Sequence, residues 1–417
     1  MPRHSARPWL MLTAPVFALM ALFSIPTGPG TAHAQPAETY KFTGAASCGS
    51  SNCHGVTKPK ADYPKLDESI IWADKDKHAK AFDTLTNEKL KSKVSPAQIA
   101  QKLKIAKAET SDRCLSCHAV NVKPELRGPK FAITEGVHCD GCHGPAEKWL
   151  EQHDKKGWTH EQSVKLGMYD TKDLLKRAEK CVSCHLAIDH ELVSAGHPDL
   201  AAFELDTFSA LMPPHWRNKG TWFGTAAWAT GQAVNVREAM KQLESRAQGN
   251  APEKRVEEAW TRARASAIVL RPVVALSASD VQKSFDQDVA ALGELLGKPG
   301  GDRAKIAASA KQIAGAANQV AAKVAAREFD EAGTLKLMKD ISGDGPAVSA
   351  AGLRAAEQSA MALDRLYNTY SKAPGKKSDS AAKKALDDMF KELDAPSKFD
   401  ATRFGAAMKA FNVAIAK

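Results

Sequence analysis

Eight cysteines in four close pairs, each followed at once by a histidine, constrain this chain more than any other feature. They are Cys48 and Cys53 before His54, Cys114 and Cys117 before His118, Cys139 and Cys142 before His143, and Cys181 and Cys184 before His185. No cysteine is left over. Cys-x-x-Cys-His is the attachment sequence of haem c: two thiols add to the porphyrin vinyl groups as thioethers, and the adjacent histidine becomes the proximal iron ligand. Both vinyls lie on one edge of the ring, so the spacing has to be tight. Zinc ribbons and disulfide frameworks also use paired cysteines, but neither requires histidine after every pair. The pattern therefore predicts four covalently bound haems c. The first motif is stretched: Gly-Ser-Ser-Asn separates Cys48 from Cys53. These small turn formers let the longer loop bulge while both sulfurs reach the ring. Attachment through Cys53 alone is the alternative.

Axial ligation sets what such a haem does. Two protein ligands suit electron transfer, whereas an open position admits a substrate. Beyond the four proximal residues, the chain after position 34 holds His78, His138, His153, His160, His190, His197 and His215, and no histidine follows. That supply is enough to complete all four irons. His138 and His190 sit too close to their own motifs to cross to the far face of the same iron, so each serves a neighbouring haem if it serves any. His160 reads as a surface residue.

Residues 1–34 read as a secretory leader: Arg3 and Arg7 precede an apolar stretch, and Ala32 and Ala34 supply an A-x-A cleavage site. The apolar run is interrupted by Pro15 and is barely long enough to span a bilayer. Export predicts a periplasmic protein whose mature chain has no transmembrane segment. The formal charge of +10 falls to +8 once Arg3 and Arg7 leave with the leader. Basic charge invites a nucleic-acid reading, but export argues against it. Haem propionates offset part of the charge, and the rest suits solubility or docking.

Composition divides the remainder into a tetrahaem segment, 35–222, and a helical segment, 223–417. The first has too little apolar side chain for a large core, and covalently held porphyrin supplies the missing apolar surface. Helices are expected over residues 78–94, 96–108, 146–153 and 173–180. In the second, Val281, Phe285, Val289, Leu292 and Leu296 form a helical stripe. Ser279 with Gln282 is its capping box and Lys298-Pro299-Gly300-Gly301 its stop. Ile306 to Val324, Leu353 to Tyr370, Leu386 to Leu393 and Phe404 to Phe411 mark further helices. Short connections predict an antiparallel bundle. The fold class is mainly α: a haem-packed cytochrome c domain with long loops, then an all-α bundle read as structural or docking.

The order of motifs resembles the tetrahaem cytochrome c-554 family. The matching segments are Lys77-His78-Ala79-Lys80-Ala81-Phe82-Asp83-Thr84-Leu85, then Gly136-Val137-His138-Cys139-Asp140-Gly141-Cys142-His143-Gly144-Pro145, and His153. A further block, Asp189-His190-Glu191-Leu192-Val193-Ser194-Ala195-Gly196-His197-Pro198, continues through Phe203-Glu204 to Pro214-His215-Trp216. It resembles a signature of larger multihaem proteins, where a tryptophan-containing helix like residues 228–247 follows. The resemblance covers residues 45–247. It implies that His78 is the distal ligand opposite His143 and His153 the one opposite His54. The fourth haem, on His185, takes His197 or His215, and the turn formers flanking His197 favour it. The second, on His118, is five-coordinate in the typical family member; here His190 or His138 closes it, His190 being favoured.

The leading function is a periplasmic electron carrier between a donor and an acceptor protein, with docking to a membrane complex through the basic surface or the helical segment. The rival is an oxidoreductase acting on nitric oxide, nitrite or hydroxylamine at an open iron of the second site. A scaffold subunit of a larger multihaem complex is the third class.

Overall fold

The computed structural model describes residues 39–87, 94–199, 203–249, 251–297 and 300–416; the expected leader, and Lys298-Pro299 of the expected stop, lie outside them. The molecule is mainly α-helical. No strand is present among the described residues, and the one isolated bridge joins Phe42 to Arg127.

Up to residue 222 the helices are short: α1 Ala45–Cys48, α2 Glu68–Lys75, α3 Asp83–Thr86, α4 Pro96–Lys102, α5 Asp112–His118, α6 Cys139–His143, α7 His160–Lys165, α8 Leu174–His185, α9 His190–Ala195 and α10 Leu205–Leu211. Local chemistry explains where they differ from the pattern reading. Of the helix expected over 78–94, the described part is a 3-10 turn, Lys77–Lys80, followed by α3, and residues 88–93 lie outside the described ones. Asp76 starts the turn by accepting from the His78 amide at 3.0 Å. The helix expected over 96–108 has its capping box, Ser95 with Gln98, but ends at Lys102. Lys104 is in the left-handed region, and the chain turns back so that the Ile105 amide reaches the Ala100 carbonyl. Residues 146–153 form successive turns rather than a helix. Asp173 caps α8, which runs past residue 180 to end on His185.

The remaining helices are long: α11 Phe223–Gln248, α12 Glu253–Ser277, α13 Ser279–Leu296, α14 Arg303–Ala325, α15 Glu331–Gly343, α16 Gly345–Ala351, α17 Leu353–Ser371, α18 Ser380–Leu393 and α19 Ala401–Ala414. Ser279 lies inside α13 and makes no cap bond, because Ala278 already ends α12 and begins α13. Helix α11 is the centre. It packs on α8, α10, α12, α14 and α17 and is buried nearly all round, as a helix without a solvent face must be. Ala229, Ala233 and Ala239 of α11, and Ala307, Ala310, Ala314 and Ala317 of α14, are buried small residues on the two most extensively packed helices. Short side chains let helix axes approach closely.

One continuous core joins Trp228, Phe285, Phe404 and Phe411 to Ala178, Val182, Leu186, Phe203 and Leu205. It therefore runs across position 222. A second cluster of buried residues is small: Leu85, Ala100, Ala108, Leu115 and Ala119.

Candidate functional site

Each regular motif sits at the C-terminal end of a helix: Cys114, Cys117 and His118 on α5, Cys139, Cys142 and His143 on α6, and Cys181, Cys184 and His185 on α8. A three-residue step keeps both thiols on one helix face, and the histidine follows one step on. The stretched motif reaches a comparable end differently. Helix α1 stops at Cys48, and the inserted residues turn so that the Cys53 amide donates to the Ser50 carbonyl at 2.9 Å and the His54 amide to the Cys48 carbonyl at 3.1 Å. The turn is closed so tightly that a Cβ on Gly55 would stand 2.1 Å from the Gly49 carbonyl oxygen.

Three pairs of imidazoles face one another at nearly one separation. Ring centroids are 6.0 Å apart for His54 and His153, 6.1 Å for His78 and His185, and 6.2 Å for His118 and His197. The parallel rings of the first pair are too far apart to stack on one another. The separations match the roughly 6 Å needed by two imidazoles on opposite faces of one iron, from a metal–nitrogen bond of about 2 Å and about 1 Å from nitrogen to ring centre on each side. Interplanar angles of 10°, 83° and 78° are all compatible with axial ligation, which fixes each ring relative to the haem and not to its partner.

Outer partners orient these rings. Nδ1 of His54 meets Glu68 at 2.9 Å, and Nδ1 of His78 meets Asp76 at 2.9 Å. Nδ1 of His118 meets the Ala81 carbonyl at 3.0 Å and the Thr84 hydroxyl at 2.8 Å. Nδ1 of His153 and of His197 face the carbonyls of Leu150 and Pro198. A proton held on Nδ1 leaves the Nε2 lone pair for a metal, the arrangement of ligating histidines. The two carboxylates stay below their ordinary pKa despite the opposing effect of burial, because each bonds a histidine. His185 Nδ1 is buried without a partner, and its ring packs on Phe208 at 4.7 Å.

The other histidines differ. His143 is buried, which pushes its pKa down to about 4; His215 adds most among neighbouring charges. His215 ties Nδ1 to the Pro213 carbonyl at 3.0 Å and packs on Trp216. His138 is buried with both ring nitrogens unpartnered, since Asp140 at 3.5 Å is beyond a working hydrogen bond. Burial lowers its pKa to about 4. His160 commits Nε2, the usual metal-binding nitrogen, to Asp170 at 2.8 Å. His190 opens α9 and belongs to none of the three pairs.

The resemblance implied His153 opposite His54, His143 as the partner of His78 and His190 as that of His118. His78 faces His185 rather than His143, and His197 rather than His190 faces His118. The placement of α9 is the physical reason. Arg113 on α5 bonds Asp189 at 2.6 Å and Glu191 at 2.9 Å, and Lys102 donates to the Ala195 carbonyl at 3.1 Å. With α9 held at both ends, His197 just past its C-terminus arrives opposite His118, while His190 stays at the other end. Sequence reading missed Glu68, Asp76 and Thr84. Asp76, two residues before His78, was the findable one, as a short acceptor placed to bond the backbone ahead of it.

The thiols also meet across motifs, and none is in a disulfide. Contact between Cys48 and Cys139 raises the first thiol and lowers the second. Contact between Cys117 and Cys184 lowers the first to about 6 and raises the second. The Cys184 thiol also points at the Ser116 carbonyl, 3.7 Å away. Burial pushes Cys181 up to about 12, with Cys142 adding to it. Motif one therefore adjoins three, three adjoins four, and four adjoins two.

Among the described residues no cluster of three or more His, Cys, Asp or Glu gathers. Imidazoles meeting in twos, each pair including a motif histidine, suit a planar cofactor better than tetrahedral zinc. The residues fit haem c, and the site is that of a c-type cytochrome. Residues 47–144 match the family described as cytochrome c554 and c-prime. The chain is similar to cytochrome c-554 of Nitrosomonas europaea, 32% identical over 177 residues, which is 40% of this chain and 64% of the relative. It thus spans less than two thirds of that relative's length. No solved structure matches. The cysteine-bearing part of the chain is thus similar to the cytochrome c-554 family.

Proposed function

We propose that this protein is a periplasmic electron carrier between a donor and an acceptor protein, holding four haems c. Haem c, when bound, supplies one-electron redox chemistry. Residues 1–34 direct export, residues 35–222 attach the haems and residues 223–417 form a helical support that also suits docking to a larger complex. Cys48 and Cys53, Cys114 and Cys117, Cys139 and Cys142, and Cys181 and Cys184 are the thioether pairs. His54 takes His153 as its axial partner, His118 takes His197 and His185 takes His78. For His143 the partner is His215, whose Nδ1 is tied back like those of the paired rings.

The observation that carries this reading is the common 6.0–6.2 Å separation of the three imidazole pairs. The thiol adjacencies support transfer along one row of sites, ordered first, third, fourth and second. Facing His197, the second site favours a carrier over an oxidoreductase of small nitrogen species. Intact mass and electron paramagnetic resonance test the reading together. Four covalent haems, all low-spin when oxidised, are expected; fewer haems, or a high-spin haem that responds to nitric oxide, would overturn it.

A further inference from the structure

The helical segment supplies no ligand-type histidine or cysteine, yet one of its side chains reaches both distal-end haem sites. Arg262 on α12 is buried. One of its terminal nitrogens donates to Asp199, two residues past His197. The other donates to the Gln242 side-chain oxygen at 3.2 Å. The Gln242 amide in turn donates to the Leu186 carbonyl, the residue after His185. A single guanidinium thus ties the segment presenting His197 to the end of the helix carrying the fourth motif.

Holds on the His197 segment lie on both sides of the imidazole. Before the imidazole, Lys102 fixes the Ala195 carbonyl and the His197 amide donates to Leu192 at 2.9 Å. Gly196 has φ +112°, and a Cβ there would lie 2.7 Å from a Val94 methyl. Beyond the imidazole, among the described residues, the Arg262–Asp199 ion pair is the nearest tie to the helical support, ahead of Phe203 in the common core. A buried cation bonded to Asp199 makes a charge-assisted hydrogen bond that holds position more firmly than an exposed pair does.

We infer that Arg262 is a positioning residue for the second haem site: through Asp199 it keeps His197 over the iron carried on His118 and so keeps that iron closed. The inference rests on the pairing of His118 with His197 proposed above. Without the tie, His197 loses its nearest hold beyond the imidazole and leaves the iron accessible to an external ligand.

The test uses the full-chain holoprotein with Arg262→Gln, Asp199→Asn and Arg262→Lys variants, and His197→Ala as the reference for an open site. Spin state is read by electron paramagnetic resonance of the oxidised protein, and open positions by carbon monoxide uptake of the reduced one. The expected wild type has four low-spin haems and takes up no carbon monoxide. Arg262→Gln and Asp199→Asn each convert one haem to high spin and take up about one carbon monoxide per chain, as His197→Ala does, while Arg262→Lys returns the wild-type spectrum. Asp199→Asn removes the charge but keeps the side-chain shape, so the outcome does not depend on Arg262→Gln folding. Both variants losing stability with all four haems low-spin would overturn the inference and leave the pairing standing. Carbon monoxide uptake at the second site of the wild type would overturn the pairing as well.

Discussion

The two parts of this chain are held together by different means. In the helical part, large side chains such as Trp228, Phe285, Phe404 and Phe411 are fully buried within one continuous core. The part carrying the motifs has a cluster of five buried residues, short helices and many turns, and its side chains meet in spaced pairs. Each buried large apolar side chain contributes about 1.5–3 kcal/mol, so the first part stands on its own burial. The second lacks that contribution, and its cofactors have to supply it. What the motif region gains is position: the rings of His54, His78 and His118 are held by polar partners, and that of His185 by packing on Phe208.

Preventing haem attachment gives the sharpest test of that contrast. Produced without haem ligation, the protein is expected to lose ordered structure through most of residues 39–200 while the long helices persist. Limited proteolysis with mass analysis should then leave a resistant fragment containing α11–α19, and an evenly stable or evenly degraded chain would break the comparison. A converse perturbation is Phe404→Ala on α19, expected to cost about 3–5 kcal/mol by cavity formation. Denaturant unfolding followed by helix circular dichroism reads that loss, and the haem absorption of the folded protein should be unchanged.

Acidity offers a third handle, at the seam between the parts. Burial raises Glu204 from 4.5 to about 7, and Asp206 adds to this against hydrogen bonding from Thr207 and the charge of Arg365. The folded state therefore holds this proton more tightly than the unfolded one. Its stabilising contribution is fully present below about pH 4.5 and is lost as pH rises through about 7. Glu204→Gln should remove up to about 3 kcal/mol of that pH dependence, measured as the difference between urea unfolding at pH 5 and pH 8. Equal slopes in wild type and variant would count against it. At the lower end, Lys384→Ala breaks an exposed i,i+4 pair with Asp388 on α18. It should shift unfolding by no more than about 0.5 kcal/mol, and a larger change would mean that surface charge contributes more to the helical part than its core suggests.

Much of this was legible in the residues themselves. The motifs announced haem attachment, and the 3.6-residue stripes of α13, α14, α17 and α19 announced helices, because both are local patterns. Pairing was not legible. That His197 meets His118 depends on Arg113 gripping Asp189, and that His78 meets His185 depends on the turn begun by Asp76. Such contacts join residues distant in the chain or replace a helix by a turn, and neither leaves a periodic trace. The Arg262–Asp199 tie is the extreme case, since α12 carries no residue type that suggests a haem site.

The meeting of thiols from different motifs has a consequence for biosynthesis. Cys48 touches Cys139 and Cys117 touches Cys184, so a chain that closed before it was loaded would set thiols from different motifs side by side. Under oxidising conditions neighbouring thiols join as a disulfide, giving two electrons and two protons to the oxidant, and are then lost to porphyrin attachment. Loading before closure avoids that juxtaposition, so the finished shape bears on the order of events in the chain's maturation.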